Sequence, residues 1–205
     1  MAHKALINGT AYGISGGKTL VGGTAYKINK GKTLVSGTAY SISFLTGNEA
    51  GLYKNGSLVY LWDELVSNGA VTLDGTTITD YSTSSTYGGD LRIPEGITII
   101  YQSAFQSCSS LTSIVVPNSV IAIGNYAFRY CTQLTSVTIG TGVQQIGKGV
   151  VTSCSALTSF TFKNTSGWWM STSSSATSGT ALDVSNPSTN AQVLVAQSSW
   201  YLKRS

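Results

Sequence analysis

Ile114-Val115-Val116-Pro117-Asn118-Ser119-Val120-Ile121-Ala122-Ile123-Gly124-Asn125-Tyr126-Ala127-Phe128-Arg129-Tyr130-Cys131-Thr132-Gln133-Leu134-Thr135 is one period of a pattern that runs on through the middle of this 205-residue chain. Cys108, Cys131 and Cys154 stand 23 residues apart, and so do Leu111, Leu134 and Leu157. The same interval relates Ile93, Val116 and Ile139; Ile97, Val120 and Val143; Ile100, Ile123 and Ile146; and Phe105, Phe128 and Val151. A fixed period of about 20 to 29 residues with Leu-x-x-Ile-x-Val in each copy marks a unit too small to bury its own apolar face, which it does by stacking on its neighbours. The short strands then lie ~4.8 Å apart. The predicted fold is mainly β: a short β-repeat N-terminal module followed by a small solenoid with capping segments.

Alternation along each repeat strand turns every second side chain outward. Arg92, Val115, Thr138 and Thr161 occupy such positions, and with Ser113, Ser136 and Ser159 they are expected to form a contact surface. The quoted residues closely resemble the BspA-type leucine-rich repeat, and the resemblance covers about residues 91–163. The third copy departs from the pattern, with Gly140 where Pro is usual and Val150-Val151 in place of Ala-Phe. The family is known from bacterial surface proteins that adhere to host proteins or other cells, and it also occurs in proteins of gut bacteria and their phages. The resemblance therefore implies a binding surface and no enzyme activity.

The residue inventory points the same way. The chain has one His, at position 3, and no carboxylate between Gly96 and Leu182, which removes the usual acid, base and orienting groups from the repeats. Three Cys at this spacing, without His, do not supply the four close ligands of a zinc site and read as stacked small apolar thiols. We expect no catalytic residue, no cofactor and no metal. Asp63 and Glu64 are adjacent, and neighbours on a helix do not face each other, so they read as solvated surface charges.

Residues 1–48 carry a second repeat. Leu6-Ile7-Asn8-Gly9-Thr10-Ala11-Tyr12, Leu20-Val21-Gly22-Gly23-Thr24-Ala25-Tyr26 and Leu34-Val35-Ser36-Gly37-Thr38-Ala39-Tyr40 follow one another every 14 residues. Ile14, Ile28 and Ile42 each stand two places after the Tyr. Tyr-x-Ile alternates as a half-buried strand does, and Gly16-Gly17-Lys18 and Lys30-Gly31-Lys32 are turn chemistry, so each copy reads as one strand pair or one rung. The strict spacing speaks against the competing reading, a flexible Gly/Lys-rich arm. So small a ribbon needs a partner for its apolar residues, and Tyr12, Ile14, Tyr26, Ile28, Tyr40 and Ile42 are the expected docking residues. These copies resemble, over residues 4–44, an N-terminal module of virion proteins of gut phages.

Between the repeats, residues 49–90 read as a connector and N-terminal cap: a hairpin around Asn55-Gly56, a short helix from Leu61 and a second hairpin from Val71. Residues 164–205 read as a C-terminal cap built on Trp168, Trp169, Leu182, Val184, Val193, Leu194, Val195 and Trp200-Tyr201-Leu202. The competing reading has the Trp pair exposed for stacking on sugar rings.

The expected function is a non-enzymatic structural or host-recognition protein of a phage particle, with a bacterial cell-surface adhesion module as the alternative. Residues 1–48 would join other virion proteins or copies of the same chain in a homo-oligomer, and the repeats would meet a host-surface protein or glycan. The start, Met-Ala-His-Lys-Ala-Leu-Ile-Asn-Gly-Thr, lacks an apolar signal core, from which assembly in a bacterial cytoplasm is expected. No membrane insertion is expected, since no apolar run nears ~18 residues. Nucleic-acid binding is not expected either, because five Lys spread over residues 1–48 match no recognised binding fold.

Overall fold

The computed structural model describes six strands within residues 3–41, and then residues 50–54 and 57–204. The chain divides into two units, Met1–Glu49 and Ala50–Ser205. In the first, β1 (His3–Ile7) pairs with β2 (Thr10–Ile14), β3 (Lys18–Val21) with β4 (Thr24–Lys27) and β5 (Lys32–Val35) with β6 (Thr38–Ser41), each pair antiparallel. Ile7 pairs with Thr10, Val21 with Thr24 and Val35 with Thr38, so each 14-residue copy contributes one strand pair. Tyr12 and Ile14 lie in β2, Tyr26 in β4 and Tyr40 in β6, while Ile28 and Ile42 lie outside the described residues.

The second unit begins with the hairpin of β7 (Gly51–Lys54) and β8 (Ser57–Leu61). The short α1 (Trp62–Ser67) follows, burying Trp62 and Leu65. Gly69, at φ 71°, ends it, and the Ala70 N–H returns to the Leu65 carbonyl at 2.8 Å. β9 (Val71–Asp74) and β10 (Thr77–Tyr81) form the second hairpin. From there the chain alternates between two sheets through β11 (Gly89–Arg92), β12 (Ile99–Ile100), β13 (Leu111–Val115), β14 (Ala122–Ile123), β15 (Ser136–Ile139), β16 (Gln145–Ile146) and β17 (Ser159–Phe162). β18 (Trp168–Ser171), β19 (Thr180–Ala181), α2 (Pro187–Ala196) and β20 (Tyr201–Arg204) complete it. One sheet has the order β17-β15-β13-β11-β7-β8, the other β19-β18-β20-β16-β14-β12-β10-β9. The result is a β-solenoid of about four turns, its repeat strands parallel from turn to turn.

The sequence intervals become stacks between the sheets. Ile93, Val116, Ile139 and Phe162 are all buried, as are Ile100, Ile123 and Ile146. An aromatic column runs beside them: the rings of Tyr81 and Phe105 lie 5.1 Å apart and those of Phe105 and Phe128 5.4 Å apart. The three Cys are free and buried. Cys131 Sγ donates to the Phe105 carbonyl at 3.1 Å and Cys154 Sγ to the Phe128 carbonyl at 3.0 Å, so each thiol binds the backbone one turn earlier. Burial pushes the Cys108 thiol up to about 12, as expected of a packing group and not of a reactive one.

Each turn bends at two left-handed residues. Ser103, Tyr126 and Gly149 have φ of 58°, 57° and 60°, and Ser107, Tyr130 and Ser153 have 63°, 61° and 62°. Five of these six carry side chains in a region that disfavours them, and the stacking of successive turns holds them there. The Ser107 N–H, for example, donates to the Arg129 carbonyl at 2.8 Å.

The last turn is covered by the C-terminal segment. Trp168 is buried, its ring centroid 4.8 Å from that of Phe162 and its Nε1 donating to the Asn164 carbonyl at 2.8 Å. Val184, Leu194 and Leu202 are buried with it. α2 starts cleanly because Asn186 Oδ1 accepts from the N–H groups of Ser188 (3.0 Å) and Thr189 (3.1 Å), with Pro187 in the first turn. Trp168 thus serves the cap; Trp169 is half-buried beneath Lys203, whose Nζ stands 5.7 Å from its ring. No helix among the described residues is long and apolar enough to cross a membrane.

Candidate binding face

Register decides which side chains meet on the outside of the first sheet. Ser113 pairs with Ser136 and Ser136 with Ser159; Val115 pairs with Thr138 and Thr138 with Thr161. Asp90 and Arg92 extend these two rows onto β11, opposite Ser113 and Val115. Between the rows Leu91, Ile114, Val137 and Phe160 point into the core and are buried. The seven residues singled out by alternation therefore share one outer face, all of them half-buried.

Charge is confined to one end of that face. The Arg92 guanidinium lies over the Tyr53 ring at 4.2 Å, a cation–π contact. Asp90 Oδ1 accepts from Thr112 Oγ1 at 2.6 Å and from Ser113 Oγ at 2.8 Å. Beyond β11 the rows offer only hydroxyls and one isopropyl group; Ser159 Oγ and Thr161 Oγ1 lie 3.5 Å apart. The one carboxylate among these rows, Asp90, is shared between the Thr112 and Ser113 hydroxyls, and no carboxylate or imidazole occurs between Gly96 and Leu182. No group of three or more His, Cys, Asp or Glu that could hold a metal occurs among the described residues. What the face can do is accept and donate hydrogen bonds from a regular, nearly neutral sheet surface.

Asp90, Thr112 and Tyr53 belong to this face beside the seven residues expected from alternation. Asp90 stands 23 residues before Ser113, so the period itself contained the signal. Tyr53 is reached only through the antiparallel pairing of β7 with β11, which no period announces. The residues expected from the sequence to dock, Tyr12 to Ile42, belong to the other unit.

A family model described as the BspA type leucine-rich repeat region, in 6 copies, matches residues 76–191. No curated protein matches the chain. Among solved structures it is similar to a leucine-rich repeat protein of T. pallidum, at 23% identity and a TM-score of 0.30, over 42% of this chain and 56% of that one. It is similar to a leucine-rich cell surface protein from Faecalibacterium prausnitzii A2-165, at 22% identity and a TM-score of 0.29, over 44% of this chain and 36% of that one. A leucine-rich repeat protein from Bacteroides capillosus matches at 20% identity and a TM-score of 0.28, over 46% of this chain and 99% of that one. The chain thus spans less than two thirds of the first two.

Proposed function

Since the chain belongs to the BspA-type leucine-rich repeat family, we propose that it is a non-enzymatic adhesion module of a bacterial surface, binding a protein partner through the outer face of its first sheet. The observation that carries this reading is the registered pair of rows, Ser113-Ser136-Ser159 and Val115-Thr138-Thr161, on one outer sheet face. The test measures labelled full chain on intact host and bacterial cells. The Val115→Arg, Thr138→Arg double variant should bind at least ~10-fold more weakly, because two unpaired cations would meet the partner at the centre of the contact, while its melting temperature stays close to the parent's. Equal binding by parent and variant overturns the assignment of the face.

Size argues for display in several copies. Six strands ~4.8 Å apart and about four residues long offer a face of ~300 to 400 Å², against ~800 Å² per partner in a standard interface. One copy would bind weakly, and linked copies would gain avidity without new contacts. The three strand pairs of residues 3–41 are the proposed assembly module. Light scattering should find a defined oligomer for the full chain and a monomer for a version beginning at Asn48; a monomer in both cases removes self-association through this segment. The virion reading rests on the resemblance of the same copies to a phage module. Recovery of the chain in purified phage particles supports it, and recovery in the bacterial envelope supports the surface reading.

A further inference from the structure

The second sheet carries a different kind of surface. Its short strands put two residues per turn in register, Ile99 with Ala122 and Ala122 with Gln145, and β20 then joins antiparallel, with Gln145 opposite Lys203 and Ile146 opposite Leu202. One step further along, the outer row reads Tyr101, Gly124, Gly147, Tyr201. Two tyrosines are thus held three strand spacings apart, ~14 Å, with two glycines between them. A cavity of about 350 Å³ occupies this slot, lined also by Ile99, Gln102, Asn125 and Gln145.

Packing, not the slot, requires the glycines. A Cβ on Gly124 would run into the backbone nitrogen of Gln102, and one on Gly147 into that of Asn125. Because nothing larger fits there, no side chain rises from the floor between the two rings. Tyr101 is 52% exposed and Ile99 40%, an unusual exposure for residues beside so regular a core. Amides complete the lining. Asn125 Oδ1 accepts from the Lys148 N–H at 3.1 Å, which leaves its NH2 to offer, and the exposed Gln102 and Gln145 side chains make no hydrogen bond among the described residues. Lys203 also lines the slot, its Nζ drawn toward the C-terminal segment, 2.8 Å from the Ala176 carbonyl and 5.7 Å from the Trp169 ring, and no carboxylate lines the slot.

Aromatic walls, amide donors and acceptors and a single charged group, Lys203, select a class of ligand. An extended peptide adds to an open strand edge, whereas each strand along the slot is already paired on both sides. A nucleotide or an acidic sugar brings an anion, for which the slot offers a single ammonium drawn toward the Ala176 carbonyl and the Trp169 ring, and no arginine. A neutral oligosaccharide has apolar ring faces to lie on Tyr101 and Tyr201 and hydroxyls to meet the amides, and a cavity of this size falls at the small end of ligand sites. We propose that this slot is a binding site for a neutral oligosaccharide of about two sugar units, separate from the face of the first sheet.

The test presents the full chain to an array of neutral and acidic oligosaccharides of two to four sugars and titrates the hits. At least one neutral saccharide should bind, and Tyr101→Ala and Gln145→Ala, both exposed positions, should each weaken it by ~10-fold. Gln133→Ala, an exposed amide on another part of the repeat, should not. Binding of no neutral saccharide, binding of acidic sugars alone, or binding that survives both slot substitutions overturns the proposal. Adhesion measured with the Tyr101→Ala variant separates the two sites: retained adhesion without saccharide binding leaves the reading of the first sheet intact.

Discussion

Replacing Phe128 with alanine should lower the stability of the chain by about 3 to 5 kcal/mol, read as a fall in the urea midpoint. The ring is fully buried, tilted by 42° against Phe105 at 5.4 Å, and both its backbone groups are tied to the following turn. Its N–H donates to the Val150 carbonyl at 2.9 Å, and its carbonyl accepts the Cys154 thiol at 3.0 Å. Rigid neighbours cannot collapse into the space, because their backbones are held by the same turn-to-turn bonds. A domain of this size has about 5 to 15 kcal/mol in total, so the cavity would remove a large share. In a solenoid each turn contacts only its neighbours, and Phe128 sits in a central one. The slope of the urea transition should therefore fall as well, as the turns on either side begin to melt separately. Phe128→Leu, which keeps most of the volume, should cost under ~1.5 kcal/mol and leave the slope unchanged. An alanine variant within ~1 kcal/mol of the parent would mean that the aromatic column does not hold the turns together.

The interval that reveals Phe128 also shows how far the fold could be read from residues alone. Wherever the turns are identical in length, position in the sequence equals position in space, so buried stacks and outer rows follow from counting by 23. Where one turn gains or loses a residue, counting fails. Tyr81 heads the aromatic column but stands 24 residues before Phe105, and Ile78 pairs with Ile100 at an interval of 22. The irregularity in the β9–β10 pairing between Ile78 and Asp80 falls between those two residues. The first turn was therefore legible only as a hairpin and a cap. The tyrosine slot was hidden for another reason: Tyr201 enters antiparallel from β20, outside any repeat, and Gly124 and Gly147 look like ordinary loop glycines until the neighbouring turn is in place. The C-terminal cap lay between these cases. Its apolar residues announced a lid, but the polar group that fastens it carries no periodic signal.

That group is Asn190, and its loss is the second large effect. Its Nδ2 donates to the Phe160 carbonyl and to the Val184 carbonyl, each at 2.9 Å, and the residue is buried. Phe160 lies in β17, the edge of the first sheet, where an unpaired backbone would otherwise face the apolar underside of α2. Asn190→Leu keeps the volume and removes both donors. With two buried carbonyls left without partners, the expected cost is about 2 to 4 kcal/mol. Hydrogen exchange should show residues 164–205 opening before the central turns, since the bond joins the cap to the last strand and nothing further in. Asn190→Asp tests the same bond by its sign. A carboxylate there accepts and cannot donate, and burial beside two carbonyls raises its pKa in the folded chain above the ordinary ~3.9. The charged form is the costly one, so the penalty should be smallest below about pH 4, where the group is neutral in both states and can still donate one bond. It should grow as pH rises and level off above the raised folded pKa. Destabilisation of the aspartate variant that is independent of pH, together with a leucine variant as stable as the parent, would show that the cap is held by its apolar contacts alone.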